Sequence, residues 1–183
     1  MGLELRPNIK WDGTKNQLLE IEGYADSNYA QCPETRRSVS GNTTTLNGAP
    51  VITNCKMQPT VKLSVTEAEL DSAITEAQDM LFVKEIIESM EMKVKLPMIL
   101  WTDNKGVYDI ANNWTTGGRT RHIATRCSFL RELRENGLIK VEHEPGEKMR
   151  SDMFTKNLDG QKYEQHHENY MSKQEEMEIK TQD

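Results

Sequence analysis

Met98-Ile99-Leu100-Trp101-Thr102-Asp103-Asn104 is the stretch on which the fold turns. Entered through Pro97 and bounded by Asp103-Asn104, this short apolar run reads as a buried strand, and the residues from Lys105 to about Asn112 read as the helix it feeds. The strand ends on an aspartate. Upstream, Ser64 to about Met90 is the best helical stretch of the chain: Leu70, Ala73, Ile74, Ala77 and Leu81 recur at helical spacing, and Ser64-Val65-Thr66-Glu67 has the pattern of a capping box. Before it, Ser38 to Leu46 and Pro50 to Cys55 flank Asn47-Gly48, which is the signal of a β-hairpin. The first strand runs from Glu20 to Asp26, with Leu19, Ile21 and Ala25 alternating against Glu20, Glu22 and Tyr24, and it too ends on an aspartate. Downstream, Ile123, Cys127, Leu130 and Leu133 mark a helix that Gly137 ends. Leu138 to Glu142 makes a strand, and a short helix around Met149 to Leu158 follows Pro145-Gly146. The order of strand, hairpin, helix, strand, helix, helix, strand, helix implies an α/β (α+β) fold, a mixed sheet with helices packed on it.

The 183 residues allow one domain plus a tail. The expected domain is 1–158; from 159 to 183 the chain is polar and acidic, with seven acids against three lysines, and reads as a frayed helix or disorder. No apolar run approaches the ~18 residues a membrane span needs, and the first residues lack a signal-peptide pattern, so a soluble, intracellular protein, cytoplasmic or nuclear, is expected. Cys32, Cys55 and Cys127 fit neither a disulfide framework nor a zinc site. The net charge of −6 argues against a nucleic-acid partner only until its distribution is considered. Four of the six excess negative charges lie in the tail, and between Thr115 and Lys140 six basic residues (Arg119, Arg121, Arg126, Arg131, Arg134, Lys140) face two acids. That segment is a candidate phosphate-facing stripe, or else an ordinary solvated helix face.

Asp26 and Asp103 at strand ends, an acid in the first turns of the long helix, and Asp152 in the last helix together suggest one constellation. Buried carboxylates cost several kcal/mol unless paired or bound to metal. Oxygen donors without cysteine or histidine point to magnesium or manganese. Each aspartate also admits a structural use: Asp103 as the cap of the helix from Lys105, and Asp26 as the start of a turn into Ser27-Asn28.

Six segments, in order, carry a resemblance that runs from about Gly2 to Leu158. They are Gly23-Tyr24-Ala25-Asp26-Ser27-Asn28-Tyr29-Ala30, Thr35-Arg36-Arg37-Ser38-Val39-Ser40-Gly41, Leu63-Ser64-Val65-Thr66-Glu67-Ala68-Glu69-Leu70, Thr102-Asp103-Asn104, Arg119-Thr120-Arg121-His122-Ile123 and Asp152-Met153-Phe154-Thr155-Lys156-Asn157-Leu158. Together they resemble the ribonuclease H domain of copia-type LTR retrotransposon polyproteins. The stretch from Ile52 to Pro59 departs from that pattern, which leaves the local strand packing open.

The resemblance implies a ribonuclease H-like fold, with a five-stranded mixed sheet flanked by helices. It also implies an endoribonuclease that hydrolyses the RNA strand of RNA/DNA hybrids with two divalent ions, Mg2+ or Mn2+ in its place. Matched motif by motif, the catalytic and metal-binding acids are Asp26, Glu69, Asp103 and Asp152. Periodicity does not choose between Glu67 and Glu69. The alignment and a Ser64 cap favour Glu69, whereas a Thr66 cap would reverse that choice. Arg119, Arg121 and His122 sit in the family's Arg-Thr-Lys/Arg-His motif, where a phosphate contact fits the basic surplus, and Asn104, beside Asp103, can donate and accept at a substrate edge, although Asn104 also suits a helix start and His122 a helix cap. His143 lies near where many ribonucleases H place a loop histidine for product release, or it ends a strand. The partners implied are an RNA/DNA hybrid and a reverse transcriptase domain. Two competing readings are a catalytically idle module of the same fold, tethered to a reverse transcriptase, and a transposase or integrase. The transposase class usually has its glutamate last, whereas here it comes second.

Overall fold

The computed structural model describes residues 14, 16–112, 121–146, 149–156 and 160, and the side chains of 121–124 also lie outside that description. The strands are β1 (Leu18–Leu19), β2 (Ile21–Asn28), β3 (Val39–Leu46), β4 (Ala49–Met57), β5 (Lys93–Val94), β6 (Met98–Thr102) and β7 (Ile139–His143). The helices are α1 (Val65–Ser89), α2 (Lys105–Asn112), α3 (Arg121–Glu135) and α4 (Asp152–Thr155). Five strands make the expected mixed sheet, and their order is β4-β3-β2-β6-β7. The β2-β3-β4 half is antiparallel, whereas β6 and β7 run parallel to β2. β1 and β5 form a separate two-residue parallel pair that no sequence signal announced.

Local chemistry explains the elements. Asn47 (φ 48°) and Gly48 (φ 85°) both take positive φ between β3 and β4, the two-residue turn whose twist matches that of the flanking strands. At the start of α1, Ser64 Oγ accepts from Glu67 N at 3.1 Å, and Glu67 Oε2 accepts from Leu63 N at 2.9 Å. Glu67 is therefore occupied in the cap, though the N–H it accepts from lies one residue upstream of the one a strict capping box would use. Gly137 (φ 67°) ends α3.

Leu70, Ala73, Ala77 and Met80 of α1 pack on Ile21 and Ala25 of β2 and Leu100 of β6, while Leu130 of α3 and Val141 of β7 close the far side of the core. A polar seam lies within this packing. Ser72 Oγ donates to the Asp26 carbonyl at 2.8 Å and to Asn42 Oδ1, while Thr44 Oγ1 donates to Glu76 Oε1 at 2.6 Å. These bonds hold α1 in register over β2 and β3, so the helix cannot rotate without leaving buried polar groups unpaired.

The structure corrects several boundaries. β2 does not end at Asp26 but runs to Asn28, because Asp26, Ser27 and Asn28 pair with Gly41, Ser40 and Val39 of β3. The predicted turn into Ser27-Asn28 is absent, and Tyr24, placed on the polar side by alternation, is buried beneath the Arg150 guanidinium. The last helix is one turn, 152–155, rather than a run to Leu158. The domain end at 158 and the acidic tail, Gly160 aside, lie outside the described residues. No described helix is long and apolar enough to cross a membrane.

Candidate active site

The parallel ladder between β2 and β6 stops at the pair Ala25↔Thr102. Asp26, still within β2, and Asp103, the residue after β6, come next, so two carboxylates meet where the ladder ends. Glu69 reaches the same place from the second turn of α1, on the buried face that also carries Ser72 and Ala73. Asp26, Glu69 and Asp103 each offer one carboxylate oxygen within 4.8 Å of the others.

Asp152 enters from α4, which can lie on β3 because position 41 is glycine. A Cβ on Gly41 would stand 2.5 Å from Thr155 Cγ2 and 3.0 Å from Phe154 Cβ. Gly41 is also the rung opposite Asp26. The same close approach brings Thr155 Oγ1 to donate to Asp26 Oδ2, and Asn28 Nδ2 to donate to the Thr155 carbonyl at 3.0 Å. Lys156, the residue after α4, donates to Asp152 Oδ1 at 2.6 Å and to Asp26 Oδ1 at 3.3 Å. Asp152 is thus joined to Asp26 through an ammonium.

The electrostatics follow from the crowding. Burial pushes the Glu69 carboxyl up to about 9, with the charges of Asp26 and Asp103 adding to it and hydrogen bonds from Ser27 opposing it. Its Oε2 is buried without a hydrogen-bond partner. Burial and then the Asp26 charge raise Asp103 as well. Lys156 shows the complementary effect: burial works against its charge, but the Asp152 hydrogen bond and the surrounding carboxylates outweigh it and push the ammonium to about 12. A cation among these acids would lower the raised carboxyls again. The donor set is all carboxylate oxygen and leaves Glu69 Oε2 without a partner, which fits a hard divalent ion such as magnesium or manganese.

The remaining expectations divide. Asn104 lies beside the cluster, and its Oδ1 accepts from Val107 N at 3.1 Å, so it caps α2 in place of Asp103. His143 ends β7, and its Nε2 lies 3.1 Å from the Asp103 carbonyl, to which it donates. Arg119 lies outside the described residues, and Arg121 and His122 begin α3 with side chains outside them. The described members of the basic stripe are used within the fold. Arg131 and Arg134 donate to the carbonyls of Ile110, Ala111 and Asn112 at the end of α2, Arg126 pairs with Asp71, and Lys140 pairs with Glu142. They are helix-end and ion-pair partners rather than a stripe reserved for phosphate. The polar seam and the role of Lys156 were missed. The one available signal was a glutamate at position 76, seven residues after Glu69 and therefore on the same helix face.

The fold and the acids at its strand ends define a ribonuclease H-fold domain. Over 74% of this chain and 93% of the other, it is similar to LC11-RNase H1, crystallised in complex with an RNA/DNA hybrid, with TM-score 0.56 and 13% identity. The N-terminal RNase H domain of rv2228c from Mycobacterium tuberculosis matches 82% of this chain and 97% of its own, with TM-score 0.54 and 11% identity. No protein-family model matches the chain. In sequence its homologues are retrovirus-related Pol polyproteins from plant transposons. The polyprotein of transposon TNT 1-94 from Nicotiana tabacum is 28% identical over 144 residues, 79% of this chain and 11% of that protein. The chain spans about a tenth of the length of the curated relatives it matches in this way.

Proposed function

We propose that the chain is an active ribonuclease H, hydrolysing the RNA strand of RNA/DNA hybrids with two divalent ions, Mg2+ or Mn2+ in its place. The convergence of Asp26, Glu69 and Asp103 within 4.8 Å at the end of the parallel ladder carries this reading. Asp26, Glu69, Asp103 and Asp152 would hold the ions. When bound, such ions lower the pKa of an attacking water and stabilise charge on the departing 3′ oxygen. The chain's own contribution is positioning. Thr155 fixes one oxygen of Asp26, the Ser72 hydroxyl fixes its backbone, and the Asn104 cap holds the first turn of α2 beside Asp103. Arg119, Arg121, His122 and the Asn104 amide are the proposed contacts to substrate phosphates and sugars. Selectivity for RNA would come from 2′-hydroxyls and duplex shape rather than base identity. A reverse transcriptase domain is the proposed partner, since the relatives are Pol polyproteins.

One observation favours the second reading, an idle module of the same fold: Lys156 already supplies positive charge between Asp26 and Asp152. The deciding experiment is to incubate the purified chain with an end-labelled RNA/DNA hybrid and magnesium or manganese. Metal-dependent cuts confined to the RNA strand are expected, and an intact hybrid at saturating metal contradicts the reading.

A further inference from the structure

Three carboxylates surround the Lys156 ammonium: Asp152 Oδ1 at 2.6 Å, Asp26 Oδ1 at 3.3 Å and Asp103 Oδ2 at 4.0 Å. The fourth acid, Glu69, is not among them. Glu69 meets two of the same acids: Asp26, Glu69 and Asp103 each bring one carboxylate oxygen within 4.8 Å of the others, and the buried Glu69 Oε2 has no hydrogen-bond partner. Asp26 and Asp103 are therefore shared by two positions for positive charge, one held by the ammonium with Asp152 and one lined by Glu69.

The ammonium is also able to leave. Lys156 lies just past α4 with extended backbone (φ −123°, ψ 144°), and its side chain is 37% exposed. A four-carbon stem lets Nζ swing into water while Cα stays in place. Asp152 and Asp26 have other attachments: Asp152 sits in α4, and Asp26 is held by Thr155 and by its ladder with β3.

We propose that Lys156 is a tethered counter-ion that keeps one of two cation positions filled, and that a divalent ion loads there only by expelling it. This rests on the reading of the acid cluster as a metal site. Two unequal loading steps follow. The position lined by Asp26, Glu69 and Asp103 would take an ion with the ammonium still held by Asp152, whereas the position beside Asp152 would take one only in competition with an ammonium whose tether holds it at high effective concentration. A purely structural Lys156, a strut between α4 and β2, makes the opposite prediction: its removal lets Asp152 drift and weakens metal binding.

The test uses the full chain, with calcium and magnesium titrated by calorimetry and melting followed in EDTA. The parent should show two binding steps. Lys156→Gln should melt at a lower temperature in EDTA, because three crowded carboxylates lose the ammonium between them, yet bind the second ion about tenfold more tightly. Lys156→Met, which keeps the stem's apolar packing, should do the same and covers the case in which the glutamine variant does not fold. Lys156→Arg should stay at the parent values in both measurements. Binding by the glutamine or methionine variant at parental affinity or weaker overturns the exchange while leaving the metal site standing. A parent chain that binds no divalent ion overturns both.

Discussion

Glu69 and Glu76 lie seven residues apart on one face of α1, and both are held far above the ordinary carboxyl range, at about 9 and about 8. Burial is the first cause for both, but their surroundings differ. Glu76 is sealed between α1, β2 and β3, with Thr44 donating to one oxygen and Gly23 leaving it room. Beside Glu69 stand Asp26 and Asp103, and the Asp103 side chain is 22% exposed, so the group opens to solvent. A raised pKa alone therefore marks burial. Convergence with other acids at an open end is what distinguishes a site from a seam.

The largest expected effect separates these two positions by activity. Asp103→Asn should reduce hybrid cleavage by more than about a hundredfold while leaving the fold intact, whereas Glu76→Gln should keep cleavage within about tenfold of the parent. Activity of Asp103→Asn within tenfold of the parent at saturating magnesium would place the chemistry elsewhere.

A third acid of α1 sharpens the contrast on stability. Asp71 pairs with Lys62, which is 2% exposed, and with Arg126 of α3. Asp71→Ala leaves a buried ammonium unpaired and should cost ~3 to 5 kcal/mol in chemical denaturation. Glu76→Gln, which removes no charge at neutral pH, should not. A loss under 1 kcal/mol for Asp71→Ala would show that Lys62 reaches water at no cost.

A smaller effect is the pH dependence. An unfolded Glu76 loses its proton near 4.5, but the folded chain keeps it to about 8. The unfolded state then binds fewer protons across that window, so stability falls as pH rises. The contribution is fully present below about 4.5 and lost by about 8, with a slope of at most ~1.4 kcal/mol per pH unit from this group. Glu76→Gln should flatten the curve without abolishing it, because Glu69 acts in the same direction. An unchanged slope in denaturation from pH 5 to 8, with EDTA present, would contradict the assignment.

Much of this was legible in the sequence. β6 and α2 could be read because an apolar run, a polar boundary and a helical stretch follow one another within 15 residues, 98–112, and the structure keeps those bounds. Ser64 as the cap separated Glu67 from Glu69, since a glutamate occupied at the cap cannot also reach the strand ends. The extension of β2 was hidden, because Ser27 and Asn28 are held by pairing with β3 and carry no apolar alternation. The polar seam was hidden for a similar reason. Threonines in β3 read as strand propensity, and nothing in a one-dimensional pattern says that Thr44 meets Glu76. Lys156 was visible only as part of a motif, and its meeting with three acids depends on Gly41 admitting α4 to the sheet.

The central claim, that the open cluster holds divalent cations and the sealed glutamate does not, is tested most directly by melting temperature. The parent, Asp26→Asn and Glu76→Gln would be melted in EDTA and in millimolar magnesium or manganese. An ion that binds only the folded state stabilises it by RT ln(1 + [L]/Kd). The parent and Glu76→Gln should therefore show the same metal-induced rise. Asp26→Asn should start higher in EDTA, relieved of one repelling charge, and rise less with metal. Equal metal-induced shifts in all three proteins would mean that Asp26 is not a ligand, and would contradict the account.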